Sequence, residues 1–96
     1  MTTIQIIGNN LVVTPAIEEL INKKLSRLEK YSEHITSIQV FLTVDKHVQA
    51  AEINILIPNH KVSAKASSED LYKTIDLLAD KATAQLKKIK GKLANH

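Results

Sequence analysis

Apolar and polar residues alternate in several stretches of the chain, which is the pattern of strands that bury one face. Apolar residues occupy every second position from Thr36 to Val44, and the same period returns from Ala51 to Ile57 and from Val62 to Ala66. A shorter alternation from Thr2 to Ile7 ends in the turn-forming residues Gly-Asn-Asn. The sequence therefore predicts four strands, of which the last three are consecutive and form an antiparallel meander.

Two other stretches repeat their apolar residues every three or four positions, as helices with one buried stripe do. The first helix is predicted to run from Pro15 to about Lys30, because Thr14 can cap the free amides and proline is tolerated at the first helical position. The second lies within the stretch from Ser67 to Leu93, and Ser67 or Ser68 is expected to cap it.

The order strand, helix, three strands, helix predicts an α+β fold of β-α-β-β-β-α topology. Each strand has one apolar face, so the economical arrangement packs both helices side by side on one face of a four-stranded mixed sheet. The first two strands are joined by a helical crossover and would be parallel if they are neighbours. With 96 residues and 44% apolar content, we expect residues 1–96 to form a single domain.

Composition narrows the class of protein. The chain has no cysteine, which excludes disulfides, thiolate metal sites and cysteine nucleophiles, and it has no apolar run long enough to span a membrane and no signal peptide. The four histidines, His34, His47, His60 and His96, form no i, i+4 pair, and two glycines cannot build a phosphate loop. We therefore expect a cytoplasmic binding protein with no catalytic residue, no metal, no cofactor and no membrane partner.

Charge is concentrated at the end of the second helix. From Lys81 onward the chain has no acidic residue and carries five lysines: Lys81, Lys87, Lys88, Lys90 and Lys92. Lys81, Lys88 and Lys92 fall within an arc of about 40°. The helix dipole accounts for part of this asymmetry. Two interpretations remain open, a solvated lysine face and a face that binds a polyanion.

The first helix has a similar row, since Lys23, Arg27 and Lys30 fall within about 60°, with Lys24 nearer the apolar stripe. For this helix alone, ordinary surface charge is the favoured interpretation. The two rows could merge into one basic surface with a cleft between them, although the sequence does not settle which flanks face the cleft. The expected partner is a phosphate backbone, and nothing in the charges selects RNA over DNA or an acidic protein. Asp76 and Asp80 are predicted to be salt-bridge residues.

Several segments resemble the ribosome hibernation-promoting factor family, also called ribosome-associated inhibitors: IQIIGNN, VTPAIEELINKKLSRLEKY, HITSIQV, SSEDLYKTIDLLADK and QLKKIKGKL. The resemblance covers almost the whole chain. It implies a protein that binds the small ribosomal subunit through ribosomal RNA of the decoding cleft, where it excludes messenger and transfer RNA in stationary phase or stress. The chain looks like the short form, which favours paired inactive ribosomes, usually with a separate ribosome modulation factor. We expect it to be monomeric when free.

The resemblance also implies which residues contact RNA. The family's basic positions match residues of both helices: Lys24, Arg27, Lys30, Lys81, Lys87, Lys88 and Lys90. Together with Lys23 and Lys92 from the two basic rows, these are the predicted RNA-binding residues. Ala84 and Ile89 depart from the arginine and histidine that the family commonly shows there. Alternatives to ribosome binding are a regulator that uses the basic helices on an acidic protein, and a general binder of structured RNA.

Overall fold

The computed structural model describes residues 4–94, with the side chains of residues 4–31 and 35–89. Its elements in chain order are β1 (Ile4–Asn9), α1 (Pro15–Leu25), a 3₁₀ segment (Ser26–His34), β2 (Ser37–Asp45), β3 (Val48–Ile57), β4 (His60–Ser68) and α2 (Leu71–Ala94). The predicted start of the first strand at Thr2 lies outside the described residues. The predicted element order β-α-β-β-β-α is confirmed.

The four strands form one mixed sheet in the order β1-β2-β3-β4. β1 pairs with β2 in parallel, as the helical crossover requires, and Ile6 lies opposite Val40. The other two pairings are antiparallel, with Val40 opposite Ile53 and Ile53 opposite Ala64. This register aligns one apolar residue from each strand into a row on the same face of the sheet.

Both helices pack on that face. The sheet contributes Leu42, Ile53 and Ile55, each 0% exposed, and the helices contribute Ile21 and Leu78, each 1% exposed, to one continuous core. The opposite face of the sheet is left uncovered among the described residues. The predicted α+β architecture, with two helices side by side on one face, is confirmed.

The first helix begins as predicted and ends earlier. Thr14 Oγ1 accepts the N–H of Ile17 at 3.3 Å, and Pro15 is the first helical residue. The predicted end at Lys30 is wrong, because α1 stops at Leu25 and the chain continues as the 3₁₀ segment. Ser26 explains the change: its N–H and its Oγ both donate to the carbonyl of Lys23, which tightens the turn from i−4 to i−3 bonding.

The start of α2 also differs from the prediction. β4 continues through Ser68, and the residue that caps α2 is Asp70, whose Oδ1 accepts the N–H of Tyr72 at 3.0 Å. Ser68 supports the cap, since its Oγ accepts the N–H of Asp70 at 3.1 Å. The buried Thr74 then donates to the carbonyl of Gln49 at 2.8 Å, which ties the first turn of α2 to β3.

Candidate nucleic-acid interface

Two ion pairs join the helical elements along their shared flank. Lys24 Nζ lies 2.8 Å from Asp76 Oδ1, and Arg27 Nη1 lies 2.6 Å from Asp80 Oδ1. The residue that is later in the chain on one element pairs with the residue that is later on the other, so the two helical elements run in the same direction. The prediction that the two aspartates are salt-bridge residues is confirmed. Their partners, however, are two residues that the sequence had assigned to RNA.

Lys81 lies on the other flank of α2, above the edge of the sheet. Its Nζ donates to the carbonyl of Lys65 at 2.8 Å, and Gln85 Nε2 donates to the carbonyl of Ser63 at 2.9 Å. Lys88 follows Lys81 by about two helical turns and therefore shares this flank. Among the described side chains, the expected cleft between the two basic rows is therefore not formed, because α2 turns Asp76 and Asp80 toward α1 and Lys81 toward β4. The side chain of Lys92, the last member of the second row, lies outside the described residues.

The charge on the flank of α2 that faces α1 changes from negative to positive along the helix. Lys87 follows Asp80 by about two turns, so it extends the line of the two aspartates as an exposed cation. In the 3₁₀ segment, Lys30 follows Arg27 in the same direction and is also exposed. Its Nζ lies 5.5 Å from the ring centroid of Tyr31. The acidic first half of the flank thus gives way to cations in the second half.

The predicted RNA-binding residues accordingly fall into three groups. Lys24 and Arg27 are held by aspartates, and Lys81 is held by the backbone of β4. Exposed lysines that form no ion pair with any described side chain make up the second group, called here the exposed lysines: Lys23, Lys30, Lys87 and Lys88. The side chains of Lys90 and Lys92 lie outside the described residues.

The two departures from the family pattern have different surroundings. Ala84 is exposed on α2, so the position where the family commonly shows arginine carries no charge in this chain. Ile89 is half-buried and packs against the core. At that position the chain has a core residue instead of an imidazole.

The uncovered face of the sheet has a different character from the helices. One row across all four strands consists of uncharged polar residues, Gln5, Gln39, Asn54 and Ser63, in which Gln39 Nε2 donates to Gln5 Oε1 at 3.3 Å and Ser63 Oγ donates to Asn54 Oδ1 at 2.8 Å. In the neighbouring row, Lys65 Nζ lies 3.3 Å from Glu52 Oε2. This face therefore carries one ion pair and the exposed Lys61, whereas the exposed lysines of the described helices lie on the other side of the molecule.

Neither a metal-binding cluster nor a membrane-spanning helix is found among the described residues. No group of three or more His, Cys, Asp or Glu side chains among them could hold a metal ion. None of the helices in the described part of the chain has the length and apolar content needed to cross a membrane.

The fold and this surface together define an α+β protein that presents lysines on two helices packed against one sheet face. The sequence profile of the family described as "Sigma 54 modulation protein / S30EA ribosomal protein" matches residues 4–94. The chain belongs to this family.

Individual relatives agree with that assignment. A protein named ribosome hibernation promoting factor from Azotobacter vinelandii is 44% identical over 89 residues, which cover 93% of this chain and 83% of that protein. Its namesake from Klebsiella oxytoca is 36% identical over 93 residues, covering 97% and 98%. A solved structure described as a ribosomal subunit interface protein from Coxiella burnetii has a TM-score of 0.87 and 35% identity, covering 95% of this chain and 99% of that one.

The contacts of α2 with α1 and β4 are not predicted by the sequence patterns. Asp76 and Asp80 are spaced by four residues and Lys24 and Arg27 by three, which is the signal that could have matched them once parallel helices were assumed. The role of Gln85 had no such signal, because its partner is a backbone carbonyl of an edge strand. Family membership confirms the predicted resemblance and the predicted class, a binding protein rather than an enzyme.

Proposed function

We propose that this protein is a ribosome hibernation factor, which binds the small ribosomal subunit in the cleft that messenger and transfer RNA occupy and thereby blocks translation. The observation that carries the proposal is the group of exposed lysines on the two helices, on a chain whose relatives are named for ribosome hibernation. Ribosomal RNA in the cleft offers a dense array of phosphates to such a surface. Residues 1–96 act as one ribosome-binding domain in the cytoplasm.

The mechanism is competition for space and charge. A rigid body that places lysine ammonium groups against RNA phosphates releases counterions, so occupancy depends steeply on salt. While the protein is bound, messenger and initiator transfer RNA are excluded, and no chemical step is needed. As part of the same proposal, the bound ribosomes pair in an inactive form together with a separate modulation factor.

Sedimentation with purified ribosomes tests this function. The protein should cosediment with the small subunit at moderate salt, and prior addition of messenger and initiator transfer RNA should prevent it. Cosedimentation that these ligands leave unchanged would contradict occupancy of the decoding cleft. Equal binding to any structured RNA would instead identify a general RNA binder.

A second candidate is suggested by the other half of the family description, which names modulation of sigma 54. In this alternative the exposed lysines bind an acidic protein partner. This alternative requires that the protein bind the acidic partner about as tightly as it binds ribosomes. A competition experiment between the partner and ribosomes measures the two affinities directly.

A further inference from the structure

We propose that Asp76 and Asp80 are positioning residues that make the helical surface selective for RNA of fixed shape. They do so by holding Lys24 and Arg27 and by cancelling the attraction of these cations for arbitrary phosphates. The inference rests on the proposed function, since it concerns how the same surface distinguishes ribosomal RNA from other RNA. The proposal explains why Asp76 and Asp80 lie on a surface whose other charged groups favour an anionic ligand.

Both ion pairs are open to a second partner. The side chain of Arg27 is 40% exposed and that of Asp80 is 67% exposed, while the values for Lys24 and Asp76 are 33% and 49%. Asp80 contacts the guanidinium through Nη1, so the remaining N–H donors of Arg27 can reach another acceptor. A phosphate can therefore bind to the paired cation without first separating the pair.

Stabilisation of the fold is a weak explanation for these pairs. Solvent-exposed ion pairs contribute little to folding because water and salt screen them. The helices are already held by apolar contacts, since Ile21, Leu25 and Leu28 are buried in the same core as Ile75 and Leu78. The larger effect of the two aspartates is on the field that the surface presents to a ligand.

The two effects of the aspartates act in opposite directions on different ligands. Flexible RNA can arrange its phosphates around any free cation, so neutralising two cations weakens its binding. RNA with fixed phosphates gains from donors that are already held in position, because less side-chain freedom is lost when the complex forms. Together the two effects favour a rigid RNA surface over a flexible strand.

The test compares two probes, purified small ribosomal subunits and single-stranded poly(U). The double variant Asp76→Asn/Asp80→Asn keeps the size of both side chains and removes their charge. We expect its affinity for poly(U) to rise about threefold to tenfold, with a slope of log affinity against log salt that is steeper by about 0.7 for each freed cation. Its affinity for the small subunit should not rise in parallel and is expected to stay level or fall, because the lost positioning of Lys24 and Arg27 offsets the gain in positive charge, so that the selectivity falls.

Glu18→Gln/Glu29→Gln is the matched control. Both glutamates are exposed, neither forms an ion pair with a described side chain, and the change in net charge is the same. The control should raise poly(U) affinity less than the aspartate variant does. The variant Asp76→Asn/Asp80→Glu keeps a negative charge next to Arg27, so its poly(U) affinity should lie closer to that of the unmodified protein than the affinity of the double Asn variant does.

The outcomes separate the inference from the proposed function. If the unmodified protein prefers the small subunit and the aspartate variant behaves like the glutamate control, the inference is wrong and the proposed function stands. A parallel rise of both affinities would also overturn the inference. If the unmodified protein shows no preference for the small subunit over poly(U), the proposed function itself fails.

Discussion

The ammonium group of Lys81 donates a 2.8 Å hydrogen bond to the backbone carbonyl of Lys65 in β4, the strand at one edge of the sheet. One helical turn later, Gln85 donates to the carbonyl of Ser63. An edge strand with free carbonyls is a template for pairing with another chain, and side chains that occupy those carbonyls hinder it. Lys81 thus has a task within the fold in addition to any contact with RNA.

Removal of both donors should expose this edge. We expect Lys81→Ala/Gln85→Ala to associate with itself as concentration increases, because the carbonyls of Ser63 and Lys65 become available to a second chain. Light scattering over a concentration series measures the association. Lys88→Ala, on the same flank of α2, serves as the control and should leave the molar mass unchanged, and a double variant that stays monomeric would contradict this role.

The exposed lysines of α2 should dominate binding to the ribosome. Lys87→Glu/Lys88→Glu replaces two positive charges with negative ones. Because the contacts of two lysines with phosphates are lost, we expect the affinity for the small subunit to fall by roughly tenfold or more. Because both residues are exposed, the free energy of unfolding should change by no more than about 0.5 kcal/mol. Sedimentation and thermal melts measure the two quantities.

The control for this variant is Lys46→Glu/Lys73→Glu, which changes net charge equally away from the basic half of α2. Its effect on binding should be much smaller. Equal losses in both variants would mean that net charge, rather than a defined surface, governs the affinity.

Asp70 offers a test that separates folding from binding. Because its carboxylate caps α2 at Tyr72 N–H, Asp70→Ala should lower the free energy of unfolding by about 1 kcal/mol. Binding to the small subunit should remain unchanged at a temperature where the variant is folded. A large loss of binding with unaltered stability would show instead that Asp70 contacts RNA directly.

Gly8 is required by a close approach of the backbone. A Cβ atom at this position would lie 2.7 Å from the carbonyl oxygen of Leu11 and 2.9 Å from Cγ2 of Val13. Gly8→Ala should therefore destabilise the protein by about 1–3 kcal/mol, the usual result of overpacking. A denaturant titration measures this, and a stability equal to that of the unmodified protein would show that the loop after β1 moves aside at no cost.

The architecture could be predicted because its signals are local. Period-two alternation around Val40 and Ile53, and the Thr-Pro start of α1, each follow from a few neighbouring residues. The end of α1 could not be predicted, because Ser26 acts by binding the carbonyl of Lys23 twice while the apolar stripe continues through Leu28. The cap of α2 was misplaced for a similar reason, since β4 pairs as far as Ser68 and shifts the helix start to Leu71.

The candidate surface was only partly predictable. Sequence spacing identified the lysines of α2, but it did not predict the rotation of the helix about its axis, which decides which flank faces α1 and which faces β4. That rotation depends on tertiary contacts, namely Arg27 with Asp80, 53 positions apart, and Lys81 with the backbone of β4. Packing therefore decided which cations are paired with protein groups and which ones remain for a ligand.

The most direct test of the central claim is to map the RNA near the helices in the bound state. The chain has no cysteine, so Ala84→Cys, at an exposed position of α2, can carry a single tethered iron chelate that cleaves nearby RNA. Ser67→Cys, exposed on the uncovered face of the sheet, is the matched control. We predict that a chelate at position 84 cleaves the small-subunit RNA that lines the path of messenger and transfer RNA. A chelate at position 67 should cleave this RNA much less. Equal cleavage from both positions, or none from position 84, would contradict binding through the helical surface.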